Sequence, residues 1–272
     1  MFRIIIIALL SGTHTQICSA QGTTKIRYNA LKHQLKERLV FLDNYNYWND
    51  ADKNFDIEKY SEKTAILLTK LLALKELDSI TLKEFKNLDL SANTNDRLKV
   101  SIYNFGYNCG GSRGWITHPI IQWRGQNGTL HAYNFSKNIN CNFHNIHKLK
   151  SDLGIFYLMI GHEKGNSSTI QNIGYVIRID NKNIFTNYKS FVNRAYINLP
   201  NTELSFTSSK QILKCMNEEE SDEDFLLHLK YIEPTNDTTA TNKLLRMFSR
   251  EYNEPICLKF NNGKFIRLSK CR

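Results

Sequence analysis

The chain has 272 residues, 41% of them hydrophobic and 11% aromatic, with 36 Lys and Arg against 26 Asp and Glu for a formal charge of +10. That apolar content supplies a core and excludes an intrinsically disordered chain. The basic excess is local: residues 96–200 carry 12 basic against 4 acidic side chains, whereas 21–95 carry 12 against 11 and 201–272 carry 11 against 11.

The N-terminus reads Met1-Phe2-Arg3 followed by the apolar run Ile4 to Leu10, one positive charge and then a stretch too short to span a bilayer. With small Ala20 before Gln21, residues 1–20 read as a secretory signal peptide cut after Ala20, giving a secreted or periplasmic product. Cys18 leaves with the signal, so the mature chain keeps Cys109, Cys141, Cys215, Cys257 and Cys271. Their wide spacing contains no CxxC pair and is not that of a small disulfide scaffold.

Residues 21–93 read as a helical region. Leu31, Leu35, Leu39 and Leu42 recur at helical spacing up to about Asn44, and Asn- and Asp-rich residues then form a polar loop carrying Tyr45, Tyr47 and Trp48. A second helix is expected over 57–77. A third, short one is expected from the capping box of Thr81 and Glu84. From residue 94 to 272 the period changes to two. Leu98, Val100 and Ile102 alternate with polar neighbours, and further strands are expected at 119–124, 129–135, 155–161, 174–179, 184–191, 204–207, 255–260 and 264–269. Asn127-Gly128 and Asn262-Gly263 each suit a two-residue hairpin turn with positive φ at both positions. One helix is expected near 239–252, and the acidic run 217–224 reads as a solvated loop. The short spacing leaves no room for crossover helices. The fold class is therefore α+β, an N-terminal helical hairpin followed by a mainly antiparallel β-domain, as a meander or a barrel-like sheet.

Chemistry concentrates first in "YNFGYNCGGSRGW", Tyr103 to Trp115. Cys109 is a candidate nucleophile if a histidine such as His118 meets it, which would make the chain an extracytoplasmic hydrolase. In an oxidising compartment the favoured reading is a disulfide or a buried thiol, with Cys141 the natural disulfide partner, since the hairpin of residues 119–135 returns the chain between them. Gly110, Gly111 and Gly114 with Arg113 can cradle an anion, or can simply permit a turn or bulge between strands. His144 and His147 could share a helical face, but no carboxylate follows at a useful spacing, and no metal or other cofactor is expected. Trp115 with Trp123, or Trp48 with Tyr45 and Tyr47, could stack on sugar rings, although strand aromatics more often fill a core.

The order of these features, with "DRLKVSIYNFGYNCGGSRGW", "PIIQW" and "YLMIGHEKGNSS", resembles uncharacterised secreted proteins of Bacteroidetes bacteria. The resemblance covers residues 90–180 and implies no activity. The expected function is that of an exported, non-catalytic binding or structural module. Its expected partner is an acidic glycan, lipopolysaccharide or a protein rather than nucleic acid, engaged through Arg113, Arg124, Lys137, Lys148 and Lys150.

Overall fold

A computed structural model describes residues 25–50, 55–111, 114–164, 170–217 and 255–271. The signal peptide, the helix expected over 239–252, the acidic run from Glu218 and Arg113 lie outside these residues.

The helical region forms as expected in outline. Helix α1 spans 25–44, the single turn α2 spans Tyr47–Asp50, α3 spans Ile57–Leu72 and α4 spans Ser79–Lys83. Asp56 caps α3 by accepting from the Lys59 amide at 2.9 Å, and the helix ends at Leu72 rather than at residue 77. The cap of α4 is Asp78, not Thr81. The Asp78 carboxylate accepts from the Thr81 amide at 2.7 Å, and this bond holds its pKa below the usual carboxylate value. Thr81 therefore sits inside the helix whose start it was expected to mark.

Among the described residues thirteen strands follow, all antiparallel and in three open sheets rather than a barrel. Sheet 1 takes β1 (Asp89–Asn93), β2 (Ser101–Gly110), β3 (Gly114–Arg124) and β4 (Leu130–Asn134) in that order. Sheet 2 takes β5 (Asn142–Leu149), β6 (Ile155–Lys164), β7 (Ile170–Asp180) and β8 (Asn183–Phe185), with β9 (Tyr196–Pro200) also paired to β7. Sheet 3 takes β10 (Thr202–Thr207), β11 (Ile212–Asn217), β12 (Ile256–Asn261) and β13 (Lys264–Arg267). The β-region thus begins at Asp89, inside the span expected to be helical. The 262–263 hairpin has positive φ at both Asn262 and Gly263, as expected for its two-residue turn. At 127–128 only Gly128 has positive φ. Its amide bonds Gly125 O, and Gly125 in turn donates to Thr129 O, which makes a longer loop in which glycine alone takes the left-handed position.

Alternation along the strands assigns the two faces of each sheet. On β2, Tyr103, Phe105 and Tyr107 enter a core with Leu35, Leu39, Leu68 and Leu72 of the helices. Ile102, on the opposite face, packs with Phe143, Tyr157 and Met159 of sheet 2. On β6 the intervening residues Phe156, Leu158 and Ile160 turn the other way, to Leu213, Leu258 and Phe260 of sheet 3. The molecule is therefore a stack of helices, sheet 1, sheet 2 and sheet 3 with three cores between four layers. Sheets 1 and 2 are covered on both faces, which explains the near-continuous burial of β2 and β6.

Buried polar side chains tie the layers. Gln122 donates to Leu72 O at 2.6 Å, joining sheet 1 to the end of α3. Asn104 donates to Asn142 Oδ1 at 2.7 Å and Phe143 O at 3.1 Å, joining sheet 1 to sheet 2. Gln211 accepts from the Lys150 amide at 2.7 Å at the junction of sheets 2 and 3. His118 stands apart from this pattern. It is 5% exposed, its ring stacks on Phe105 at 5.0 Å and Tyr107 at 6.1 Å, and neither ring nitrogen has a partner. Burial pushes its pKa down to about 4.

Between the unfolded value of about 6.5 and the folded value near 4, the unfolded chain binds a proton that the folded chain refuses. Stability is then lost as pH falls through that window, by about 3 kcal/mol at pH 4 from this one group. Urea unfolding of the wild type and His118→Leu at pH 7 and pH 4 is expected to show the variant losing about that much less. Equal losses in the two proteins would remove His118 as the cause.

Candidate functional site

Of the expected basic residues, four are described. Arg124 donates through Nε at 3.2 Å and Nη2 at 2.6 Å to Glu76 Oε1, on the helix-facing side of sheet 1. The Lys148 ammonium lies 3.4 Å from Asp96 Oδ2, which also accepts from Tyr157 Oη at 2.6 Å. Lys137 ends a short 3₁₀ turn, and Lys150 stands exposed beside sheet 3. Two of these cations are already neutralised, and the set spreads from the helical layer to the far end of sheet 2. Arg113, the fifth of the expected residues, lies outside the described residues.

The cysteines also differ from expectation. The disulfide joins Cys257 to Cys271, and Cys109 and Cys141 are not bonded to each other. Cys109 packs with the core between helices and sheet 1, whereas Cys141 belongs to the core between sheets 1 and 2. A whole sheet separates them. Burial holds the Cys141 thiol far above its ordinary pKa, the opposite of an activated nucleophile. His118 pairs with Phe105, four residues from Cys109 along β2 and so roughly 13 Å away at strand spacing. No Cys109–His118 dyad forms. The two other histidines singled out, His144 and His147, lie on strand β5 rather than a helix. His147 packs against Phe206 of sheet 3 and His144 against His162 of β6.

What the fold does build is a cleft where the stack runs out. β1 pairs with β2 only as far as Asn104, and β4 pairs with β3 only from Ile120, so 105–110 and 114–119 continue as a two-stranded ribbon. Its helix side is covered: the ring of Tyr47 lies against Gly110, and Tyr107 reaches Ser61. On its other side the ribbon faces the ends of β6 and the link into β5, across a cleft of ≈ 120 Å³. Trp115, Ile116 and Thr117 line it from β3, His162, Glu163 and Lys164 from β6, Asn140 from the link and Asn142 from the start of β5.

Trp115 is 46% exposed, and its indole lies flat across β2 at Gly106. A Cβ on Gly106 would stand 2.2 Å from Nε1 of that indole and 2.4 Å from the Ile116 carbonyl, so only glycine lets the ring rest there. Trp123 is different. It is buried, and its Nε1 donates to Asn181 O at 2.7 Å, so it is a core residue. Asn142 Oδ1 accepts from Asn104, while Asn140 Oδ1 is buried with no partner in the protein. The His144 and His162 rings sit 5.6 Å apart at the cleft's edge. Partial burial, and then His162, lower the pKa of His144.

An exposed indole beside amide, hydroxyl, imidazole, carboxylate and ammonium groups suits stacking and hydrogen bonding to a polar ring. Among the described residues the lining holds no nucleophile beside a base, and Glu163 is the single carboxylate there, where glycoside hydrolysis ordinarily uses two. The sequence analysis marks Trp115 for stacking on sugar rings, but not Asn140, Asn142, Thr117 or Lys164. Gly106, inside a strand, was the legible sign of a close approach. Comparison of the chain with family models, with curated proteins and with solved structures finds no match in any of the three.

Replacing Gly106 by alanine is expected to lift the Trp115 indole off β2. Acrylamide quenching of the tryptophan emission should rise, and stability should fall by roughly 1–3 kcal/mol from overpacking. The increment in quenching should vanish when Gly106→Ala is combined with Trp115→Phe. Unchanged quenching in the single variant would contradict the packing of Trp115 on Gly106.

Proposed function

We propose that the protein is an exported, non-catalytic binding module that takes an acidic glycan in the cleft beside Trp115. The observation that carries this reading is the exposed indole set by Gly106 over a lining of amide and charged side chains. An aromatic face gives a sugar ring a stacking surface, and the amides of Asn140 and Asn142 suit its hydroxyls. Lys164 and His162 favour a negative substituent, and the cleft's residues all belong to the segment of the chain with 12 basic against 4 acidic side chains.

Two further features support export. The Cys257–Cys271 disulfide suits an oxidising compartment, and the N-terminal sequence reads as a signal peptide. Among the described residues no helix is long and apolar enough to cross a membrane. This reading rests on Trp115, Asn140, Asn142, His162 and Lys164 rather than on the expected set of Arg113, Arg124, Lys137, Lys148 and Lys150.

Titration with trigalacturonate, a short oligosaccharide with one carboxylate per ring, tests the reading. Tryptophan fluorescence should report saturable binding, and Trp115→Ala should weaken it at least tenfold. Raising salt from 0.05 to 0.5 M should also weaken it, because the attraction between exposed charges is screened. Binding that survives Trp115→Ala undiminished would contradict the assignment.

A further inference from the structure

One pair of groups at the cleft is not needed for stacking or for hydroxyl recognition: His144 and His162, on neighbouring strands with ring centres 5.6 Å apart. We infer that the cleft takes up a proton together with its anionic ligand, and that the His144–His162 pair is the group that receives it. The inference rests on the acidic-glycan reading above, and it adds a regulation of that same site.

The argument starts from the surroundings of the pair. On β5, Asn145 Nδ2 lies 3.1 Å from His144 Nδ1. The amide nitrogen is a donor, so Nδ1 accepts and the neutral ring carries its proton on Nε2. On β6, His162 is followed by Glu163 and Lys164, which line the cleft with it. On β7, the residues opposite His162 and Glu163 are Asn172 and Gln171, neither of which ionises. The facing part of β3, Trp115 to Thr117, has no ionisable side chain in this pH range. Cys141, in the link below, keeps its proton because burial holds its thiol pKa far up. The charged groups around the pair are thus Glu163 and Lys164 at the cleft itself and Asp89 on β1, which packs against β5.

Two imidazoles this close resist carrying two charges, since each cation raises the cost of the other. Lys164 adds a positive charge to the same region and Glu163 a negative one, so the two offset each other. What remains is partial burial and the neighbouring imidazole, which lower the pKa of His144 and disfavour its protonation in the empty cleft. A carboxylate or sulfate ester seated beside His162 and Lys164 reverses the balance, because an anion at that position favours the imidazolium form. The two imidazoles and the ligand's carboxylate then hold up to one more proton than they did apart. An N–H bond forms on an imidazole as an O–H bond of hydronium, or the buffer acid's own bond to hydrogen, breaks. By linkage, a ligand that brings a proton with it binds more tightly as pH falls, by up to tenfold per pH unit for one whole proton.

The test uses the full mature chain and trigalacturonate at pH 7.5, 6.5 and 5.5, with calorimetry in two buffers of different ionisation enthalpy so that proton uptake is read directly. The expected result is an affinity about tenfold higher at pH 5.5 than at pH 7.5, corresponding to a fraction of a proton taken up per ligand over that range. His144→Gln and His162→Gln should each flatten the slope of affinity against pH and reduce the uptake. A neutral maltotriose control should show no pH slope. Trigalacturonate binding that is strong at all three pH values with no proton uptake would overturn the proton coupling while leaving the cleft assignment standing. A slope that persists in both histidine variants would overturn the role of the pair. Absence of trigalacturonate binding at every pH would overturn the acidic-glycan reading and the coupling built on it.

Discussion

The constraint on which the rest depends is that two of the three sheets are buried on both faces. An antiparallel sheet ordinarily packs one face and leaves the other in water. Here sheet 1 lies between helices and sheet 2, and sheet 2 lies between sheets 1 and 3, so consecutive residues of β2 and β6 serve different cores. Ile102 and Tyr103 are neighbours in the chain yet pack on opposite sides of a layer. Shifting either strand by one residue would move every such side chain into the wrong core, and register is correspondingly strict. Each fully buried Leu, Ile or Phe contributes about 1.5–3 kcal/mol relative to exposure, and both faces of the inner strands share in that gain.

Two-sided burial also explains where a binding site can exist. Within the stack, polar side chains such as Gln122, Asn104 and Gln211 are tied to partners, whereas His118 is buried without one and kept neutral by that burial. Past Asn104 on β2 and before Ile120 on β3, sheet 1 narrows to two strands, and the apolar contact with sheet 2 ends near Phe143. The ribbon remains anchored on its helix side, so its other side is a rigid wall facing solvent. Amides, charged groups and an exposed indole occur together there because the core no longer excludes water. The cleft is thus a consequence of unequal strand lengths in adjacent layers.

Much of the architecture was legible in the chain. The period-four leucines of 31–42 and the alternation through Leu98, Val100 and Ile102 specify their elements directly. Other parts carried a weaker signal. "DLSAN" of β1 has one large apolar residue and no alternation to read. On β5 a register shift between Phe143 and Asn145 breaks the period of two, and the histidines then sit at a spacing that resembles a helical face. The cysteine pairing failed for a physical reason of the same kind. A hairpin between Cys109 and Cys141 brings the chain back, but which face of the returning sheet each thiol occupies depends on how the layers stack. The cleft suffers similarly, since Trp115 and Lys164 become neighbours only through packing of sheet 1 on sheet 2. Charge summed along the chain was a poor guide, because Arg124 and Lys148 spend their charge on Glu76 and Asp96.

The central claim is that binding occurs where two-sided packing ends. Amide hydrogen exchange read peptide by peptide, with and without trigalacturonate, tests it most directly. The account predicts the slowest exchange in the paired centres of β2, β3, β6 and β7, with ligand-induced protection confined to segments containing residues 114–117, 140–142 and 162–164. Protection induced instead around 45–48 or 148–150, with 114–117 unchanged, would contradict it.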